Sequence, residues 1–462
     1  MGEVGNISET IAQYIAETSY GVLPQEVVHV TKACILDTLG VMLAANTLGE
    51  GVTEIVDLVL RWGGKEESTV VGYGIKVPAP LAALANGAMA HALDYEETYD
   101  QARVHPSAAT VPAAFAVAES QPKVSGKDVI LAIALGNEIV IRAGRAVDKS
   151  RPGPWFTPPI LGGLGAVVAA GKILGLSPQE ILSAFSLLLF QLSASNELLR
   201  SKGSVIRAIR EAFVAKAGVL SAILASRGLK GFERPLDGEG GFFSMYFHNE
   251  WDEKELIDEL GQKFMGISTS FKLWPSCRGT HPYIEAAIRI LDKCKGVLEV
   301  ERVKAIRALI SPANTMLCEP ITLRLNPSTA IEAKFSLPFV VVLTLVKGGI
   351  KLEDFHELDV WKNDPRFKML TSKFFYHVEP SLNPVEGILE ITMVDGEKVQ
   401  EAVKFPKGSP GNPLSEKELR DKFVENGKYA YKKFTQAHLE RLADAVLALD
   451  HLEDIRAITK LL

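Results

Sequence analysis

Alanine dominates two stretches of the chain, Leu81-Ala-Ala-Leu-Ala-Asn-Gly-Ala-Met-Ala-His-Ala92 and Ser107-Ala-Ala-Thr-Val-Pro-Ala-Ala-Phe-Ala-Val-Ala-Glu119. Their small side chains suit helices that pack closely against each other. The joint between them, His91-Ala-Leu-Asp-Tyr-Glu-Glu-Thr-Tyr-Asp100 followed by Gln101-Ala-Arg-Val-His105, is instead dense in ionisable groups. We therefore predict a helical core whose connecting segment carries the functional residues.

An acid, a hydroxyl and an imidazole lie close together in this joint. On a helix, His91 and Asp94 are three residues apart and Asp94 and Thr98 are four apart, so the three side chains would share one face. His105 stands just before a predicted helix start at Ser107, where free backbone N–H groups and the positive end of the helix dipole favour an anion. We predict a site for a carboxylate here; the alternative is an acidic turn exposed to solvent.

Composition limits the classes of partner. The net charge of −6 lacks the basic excess that a nucleic-acid or anionic-membrane partner requires, so we expect neither. The four cysteines are widely separated and form no C-x-x-C pair, which argues against a disulfide framework and against a zinc or iron–sulfur site. The start of the chain does not resemble a signal peptide, and its apolar runs are predicted to be too short to span a membrane, which together predict a cytoplasmic protein.

The 462 residues are too many for one ordinary core and predict at least two domains. Helical spacing dominates the first part of the chain, for example over Val52–Trp62, whereas strand patterns such as Val303–Ile310 appear later. Asp395-Gly396 predicts a hairpin turn, and Gly408–Pro413 predicts a linker before helix resumes. We predict a mainly α fold with a second α+β domain, divided into a helical domain of residues 1–267 and 408–462 and an α+β lid domain of residues 268–407.

Two further segments supply cations. Phe271-Lys-Leu-Trp-Pro-Ser-Cys-Arg-Gly-Thr-His281 places cationic and proton-transferring groups around a turn that opens a helix, and Arg200-Ser-Lys-Gly-Ser-Val-Ile-Arg-Ala-Ile-Arg210 places two arginines on one helix face. A substrate with two or three carboxylates needs several cations, because arginine binds a carboxylate bidentately. The alternatives are surface charges and an ordinary histidine at a helix start.

The segments His91-Ala-Leu-Asp-Tyr-Glu-Glu-Thr98 and His105-Pro-Ser-Ala-Ala-Thr-Val-Pro-Ala-Ala-Phe-Ala-Val-Ala-Glu119 resemble the signature of the 2-methylcitrate dehydratase (MmgE/PrpD) family. The lysine and the threonine–histidine pair of the 271–281 segment, Asn326–Pro338 and Gly411–Ser415 extend the resemblance over nearly the whole chain. It implies a helical domain closed by the C-terminal helices, a smaller α+β lid and a homodimer. It also implies an interdomain cleft lined by Asp94, Thr98, His105, Lys272 and His281.

Two segments depart from the family pattern. Family members commonly carry a Lys-x-Leu-His motif where this chain reads Lys202-Gly-Ser-Val-Ile-Arg-Ala-Ile-Arg210, which contains no histidine. Many also carry Gly-Phe-His-Pro-Thr where this chain reads Pro154-Trp-Phe-Thr-Pro-Pro159. Both departures bear on the identity of the substrate more than on the fold.

Residues and resemblance together predict proton transfer next to a carboxylate without a cofactor or metal, on a small di- or tricarboxylate. His105 or Asp94 would abstract the proton, His281 would protonate a leaving hydroxyl or a carbon, and the cations would stabilise an enolate-like intermediate. The predicted catalytic residues are Asp94, Thr98, His105 and His281, and the predicted substrate-binding residues are Lys202, Arg207, Lys272 and Arg278.

Dehydration of a 2-methylcitrate-like hydroxy acid is the expected reaction, because the family as a whole motivates it. Decarboxylation of a cis-aconitate-type acid and epimerisation of an iminodisuccinate-type acid are the alternatives, since all three pass through a carbanion beside a carboxylate. Two other classes stay open: a carboxylate-binding protein that has lost catalysis, and a metal-assisted lyase with Asp94, Glu97 and His105 as ligands.

Overall fold

Helices dominate the computed structural model, which describes residues 6–147, 153–201, 203–294, 296 and 298–462. The helices of its first part are α1 (Ile7–Glu17), α2 (Gln25–Leu48), α3 (Val52–Trp62), α4 (Ala79–His91), α5 (Pro106–Ser120), α6 (Gly126–Ala146), α7 (Thr157–Ile173), α8 (Pro178–Leu189), α9 (Ile206–Ile209), α10 (Glu211–Ser226), α11 (Phe242–Phe247) and α12 (Glu253–Ile257), with the short strands β1 (Ser68–Val70) and β2 (Ile75–Val77). The later elements are α13 (His281–Lys293), β3 (Val303–Ile310), α14 (Ile321–Leu325), α15 (Ala330–Lys334), α16 (Leu337–Lys347), α17 (Leu358–Asn363), α18 (Pro365–Thr371), β4 (Phe374–Val378), β5 (Gly387–Met393), β6 (Lys398–Val403), α19 (Glu416–Gly427), α20 (Gln436–Leu447) and α21 (Arg456–Thr459).

The two alanine-rich stretches form α4 and α5, which pack against α7 and α10 in the centre of the helical part. Small residues let the helix backbones approach closely. A Cβ atom on Gly87 of α4 would lie 2.8 Å from the carbonyl oxygen of Glu211, and one on Gly218 of α10 would lie 2.7 Å from the amide nitrogen of Val167. A larger residue at either position would push two helices apart, because the core has no spare volume.

The later part of the chain contains a four-stranded sheet with the order β4-β3-β5-β6. Strands β3 and β4 are parallel, and the other two pairs are antiparallel. The predicted hairpin across Asp395-Gly396 joins β5 to β6, with Gly396 at a φ of 92° that favours glycine. Helix α13 packs against β5, β6 and α16. The prediction of a mainly α fold with an α+β part is therefore confirmed.

Helix α2 corrects one expectation. This helix has 24 residues, and a window of 18 of them has a mean hydropathy of 1.6. By length and composition alone, it could therefore cross a membrane. This length contradicts the expectation that the apolar runs are too short to span a membrane. However, 83% of the window is buried inside the protein. Helix α2 is apolar on all sides because other helices surround it, which is typical of a core helix.

The C-terminal helices pack against the N-terminal ones. Helix α19 lies against α2, and Lys422 of α19 places its Nζ 2.7 Å from Oδ1 of Asp37 in α2. Both side chains are buried. Burial raises the pKa of Asp37 and lowers the pKa of Lys422, while the attraction between the two charges opposes both shifts. The division of the chain at residues 267 and 407 stays a prediction.

We expect Lys422→Met to lower the free energy of unfolding by about 3–5 kcal/mol, because Asp37 would stay buried without its cation. Urea unfolding followed by tryptophan fluorescence measures this loss. The double variant Asp37→Asn/Lys422→Met is the control and should recover part of the stability, since it removes the uncompensated charge. A double variant as unstable as Lys422→Met would show that the ion pair is not the cause.

Candidate active site

The segment between α4 and α5 is a loop, so the predicted helical face over His91, Asp94 and Thr98 is wrong. Helix α4 ends at His91, and Asp94 adopts a left-handed φ of 48° that aspartate tolerates better than most residues. The Asp94 amide donates to the His91 carbonyl at 2.8 Å and closes the turn. Thr98 then exchanges two backbone hydrogen bonds, of 2.9 and 2.8 Å, with Ser270. Pairing with a distant segment replaces the helix here.

The loop still assembles two imidazoles and two carboxylates. His91 Nδ1 is hydrogen-bonded to Glu96 Oε1, and His91 Nε2 lies 4.0 Å from Asp94 Oδ1. His105 Nδ1 lies 3.0 Å from the same Glu96 oxygen, and His105 Nε2 lies 3.9 Å from Asp94 Oδ1. The side chains are buried except for His105, which is 15% exposed. The Glu96 carboxylate therefore lies between the two Nδ1 atoms, and the Asp94 carboxylate faces the two Nε2 atoms.

Lys272 compensates the charge of Asp94. Its Nζ lies 3.0 Å from Asp94 Oδ1 and donates to the Asp94 carbonyl at 2.7 Å. Burial alone would raise the pKa of Asp94, but Lys272 and then the histidines hold it below its usual value. Burial likewise opposes ionisation of Glu96, and His91 and His105 hold its pKa well below the usual range. Both carboxyl groups are thus ionised at neutral pH.

His91 is neutral under the same conditions. Burial, and then the charge of Arg210, lowers its pKa to about 4. A neutral imidazole whose Nδ1 carries the proton donates that proton to Glu96, which would leave Nε2 as an acceptor. Of the two histidines, His105 alone reaches the cavity described below.

The predicted anion site at the start of α5 is filled by the protein itself. Ser107, the second residue of α5, donates its backbone N–H to Glu97 Oε1 at 2.8 Å. Burial, and then repulsion by Asp37, raises the pKa of Glu97 to about 8, so this carboxyl group is protonated at neutral pH. The backbone N–H of Ser107 is therefore bonded to a neutral carboxyl group of the protein and is not free for a substrate carboxylate.

A cavity of about 410 Å³ lies beside the loop, between residues of the helical part and residues of the α+β part. Five predicted site residues line it: Asp94, Thr98, His105, Arg207 and Arg278. Much of the remaining wall is apolar and includes Trp155, Phe156, Tyr246, Phe247, Leu317 and Phe335. The sequence analysis missed this wall, because aromatic residues scattered over the chain give no local signal.

Arg207 is the cation best placed to bind a ligand. Its guanidinium lies over the Phe335 ring at 3.4 Å, and its Nε has no hydrogen-bond partner among the described residues. Burial lowers its pKa to about 9, which leaves it charged at neutral pH. Arg103 and Arg210 also line the cavity, and Arg210 is paired with Glu211 at 3.0 Å. Arg103 was not among the residues predicted from the sequence.

Two of the predicted substrate-binding residues are bound to other groups of the protein. Lys272 lies behind Asp94 and not among the residues that line the cavity, so a direct contact with substrate is not supported. Arg278 lines the cavity, but its Nε lies 3.2 Å from Asp100 and its Nη2 donates to Ser409 Oγ at 2.5 Å. Lys202 lies outside the described residues.

His281 is buried behind the cavity wall. Its Nδ1 lies 3.4 Å from Arg278 Nη1, its Nε2 lies 3.3 Å from the Ser276 carbonyl, and its ring packs edge-on against Trp274. Burial, and then Arg278, lowers its pKa well below the usual value, so it is neutral. Within the described residues it is not among those that line the cavity. The role of His281 as a proton donor stays a prediction.

The four groups His91, Asp94, Glu96 and His105 offer ligand atoms within 4.8 Å of one another, close enough to surround a metal ion. Imidazole and carboxylate together suit a transition metal. Lys272 already supplies a cation 3.0 Å from Asp94 and would repel a second one. The predicted ligand set with Glu97 is not assembled, because Glu97 binds the Ser107 amide.

Comparison with known proteins identifies the family of the chain. The chain matches the model of the MmgE/PrpD N-terminal domain over residues 9–254 and that of the MmgE/PrpD C-terminal domain over residues 274–449. It is similar to cis-aconitate decarboxylase of Homo sapiens, with 29% identity over 474 aligned positions that cover 99% of this chain and 94% of the relative. It is also similar to cis-aconitate decarboxylase-like protein oryM of Aspergillus oryzae, with 25% identity covering 99% and 97%.

A shorter match, with 28% identity over 155 positions and 31% of each chain, is to 2-methylcitrate dehydratase-like protein oryR of Aspergillus oryzae. The relatives are therefore named for two of the expected reactions, decarboxylation and dehydration. The relatives that match over nearly the whole chain are named only for decarboxylation. Because the two family models together cover most of its length, the chain belongs to the MmgE/PrpD family.

Proposed function

We propose that this protein is a decarboxylase that acts on an alkene with three carboxylates, of the cis-aconitate type, and that its own side chains perform the chemistry. The observation that carries the proposal is His105, a partly exposed imidazole held by Glu96 at the edge of a cavity with an apolar wall. The relatives matched over the full length are named for this reaction, whereas the dehydratase-like relative matches less than a third of the chain. Dehydration, the first expectation from the sequence, becomes the second candidate.

Binding of the trianion would rest on the arginines. Arg207 has a free Nε within the described residues and a guanidinium held flat against Phe335, so it is preorganised to grip one carboxylate. Arg103, at the exposed side of the cavity, would attract a second one. Two arginines on a small cavity raise the affinity for a polyanion without making the protein basic.

The apolar wall supports decarboxylation. A carboxylate that lies against aromatic rings loses its hydration shell, which favours its conversion to neutral CO₂. As the C–C bond to the leaving carboxylate breaks, its electron pair forms a new terminal double bond. The former alkene electrons move to the far carbon, where charge is delocalised into the adjacent carboxylate. That carbon then takes one proton, so each turnover consumes one proton and releases one CO₂.

We assign that proton to His105. Its Nδ1 lies 3.0 Å from Glu96 Oε1, and its Nε2 faces Asp94 at the edge of the cavity, where a proton could be passed to the substrate. Dehydration would need a second acid for the leaving hydroxyl. His281, the residue expected to supply it, is buried and neutral behind the wall. Decarboxylation needs only one proton donor.

The assembly and location of the protein belong to the proposal as well. A homodimer is supported by Phe190 and Phe232, two exposed aromatic side chains whose rings lie 6.0 Å apart on the surface. Exposed aromatic clusters of this kind are typical of protein interfaces. The cytoplasmic location stays a prediction.

The reaction is tested with purified protein in the presence of EDTA, using cis-aconitate, 2-methylcitrate, citrate and iminodisuccinate as substrates. We expect cis-aconitate to release CO₂ and to give an unsaturated dicarboxylate, both of which NMR can follow. Loss of water from 2-methylcitrate without CO₂ would favour the second candidate. Binding of these acids without any turnover would show a carboxylate-binding protein and would overturn the proposal.

We expect His105→Gln to lower kcat by about 10²- to 10⁴-fold, the range for loss of one acid or base. The melting temperature should change little, because the amide can keep the hydrogen bond that the ring makes to the Glu97 carbonyl and the position is partly exposed. Steady-state kinetics and thermal unfolding of the same sample separate the two effects. A large fall in melting temperature with kcat preserved would make His105 a structural residue.

Glu97 predicts a dependence of stability on pH. Folding raises its pKa from 4.5 to about 8, so the folded protein keeps a proton that the unfolded chain has released. This contribution to stability is complete below about pH 4.5 and is lost as the pH rises towards 8, by about 1.4 kcal/mol per pH unit at most. Glu97→Gln cannot ionise, so its stability relative to the wild type should increase between pH 5 and pH 8. A stability difference that is equal at the two pH values in urea unfolding would refute this assignment.

A further inference from the structure

Three consecutive carbonyl groups of the loop between α4 and α5 each accept a hydrogen bond from a different buried lysine. All three lysines are buried: the side chain of Lys272 is 0% exposed, that of Lys422 is 4% exposed, and the whole residue Lys334 is 1% exposed. The contacts are Lys334 Nζ to Leu93 O at 2.7 Å, Lys272 Nζ to Asp94 O at 2.7 Å and Lys422 Nζ to Tyr95 O at 2.8 Å.

These carbonyls need such donors because of the turn at Asp94. Because Asp94 adopts a left-handed conformation, the carbonyls of Leu93, Asp94 and Tyr95 cannot take part in the regular hydrogen bonding of a helix or a strand. In the described part of the chain no backbone N–H donates to Leu93, Asp94 or Tyr95. An ammonium group carries three donors on a long side chain, so it reaches a buried carbonyl that no backbone segment approaches.

Lys334 is the least expected of the three. Lys272 and Lys422 also contact carboxylates, whereas Lys334 forms no salt bridge within 4.0 Å among the described residues. Its other contact is the face of the Phe355 ring, 4.8 Å away. Burial lowers its pKa to about 7, and the nitrogen donates to Leu93 whether or not it carries the extra proton. A buried lysine without a carboxylate partner is costly, so a specific task is the natural reason for it.

The three lysines come from separate parts of the chain. Lys272 follows the Thr98–Ser270 pairing, Lys334 is the last residue of α15, and Lys422 lies in α19. The conformation of one loop therefore depends on the docking of three distant segments.

We propose that Lys334 and Lys422 are positioning residues that, together with Lys272, hold Leu93–Tyr95 so that the carboxylates of Asp94 and Glu96 face His105. This inference rests on the proposed function of that site. A shift of the loop by about 1 Å would misplace both carboxylates, and misplacement on this scale costs about 10²-fold in rate. The Lys334 side chain is not among those that line the cavity, and its hydrogen bond to Leu93 links it to the loop.

The test compares Lys334→Met with Lys172→Met. Lys172 provides a matched control, because its Nζ donates to the carbonyls of Ile15 and Ala16 at 2.9 and 2.8 Å, outside the site. We expect both variants to lower the melting temperature. Only Lys334→Met should lower kcat, by about 10- to 100-fold, with KM nearly unchanged since Arg207 is untouched. Equal kcat in the two variants would overturn the inference.

Rescue by a conservative variant is a second readout that a merely structural role would not move. Lys334→Gln keeps a donor for the Leu93 carbonyl and covers the case in which the Met variant does not fold. It should lose less kcat than Lys334→Met. Equal losses of kcat in two folded Lys334 variants would contradict the proposal.

A substrate-free measurement separates this inference from the proposed reaction. In protein labelled with ¹⁵N-histidine, the His105 ring resonances are identified by their loss in His105→Gln. We expect them to move in Lys334→Met and to stay in place in Lys172→Met, even if the wild type turns over none of the acids tested. Unmoved His105 resonances in Lys334→Met would refute the positioning role, whereas an inactive wild type would refute only the proposed reaction.

Discussion

The charge buried in the loop between α4 and α5 is the constraint on which the structure depends. Asp94 and Glu96 are both ionised and almost completely buried. Burying a single unpaired carboxylate costs several kcal/mol, so the protein must bring compensating groups to the same place. The imidazoles come from the ends of the loop, but the cation beside Asp94 comes from Lys272, 178 residues further along the chain. Charge compensation thus links the site to the overall fold.

The helices fix the ends of this loop. His91 is the last residue of α4, and His105 caps the start of α5, so both imidazoles are attached to elements in the packed core. Their ring centroids lie 5.0 Å apart in an edge-to-face arrangement. The alanine and glycine contacts that let α4 and α10 approach each other leave these helix ends little freedom to move. Small residues in the core therefore determine the distance between two titratable groups.

Local patterns predict the elements well and the site contacts less well. Helix α3 and strand β3 begin and end at the predicted residues, because apolar periodicity and flanking turn residues act over a few positions. The helical face expected after His91 fails because Thr98 pairs with Ser270, which no local pattern reveals. The contact between Arg278 and Asp100 could not be predicted for the same reason, because the two residues are 178 positions apart in sequence. The residue types of the site are visible in the sequence, but their partners depend on long-range contacts.

In the proposed reaction, the distribution of cations in and around the cavity decides which carboxylate leaves. Lys272 is bound to Asp94, Arg278 to Asp100 and Arg210 to Glu211, so these three have their charge compensated before any substrate enters. Of the described residues that line the cavity, this leaves Arg207 and Arg103 for a trianion. A carboxylate gripped by arginine is stabilised as an anion and resists conversion to CO₂. In the proposed reaction two carboxylates are held in this way, and the third faces the aromatic wall without a cation. In that reaction, the different surroundings of three similar carboxylates would select the C–C bond that breaks.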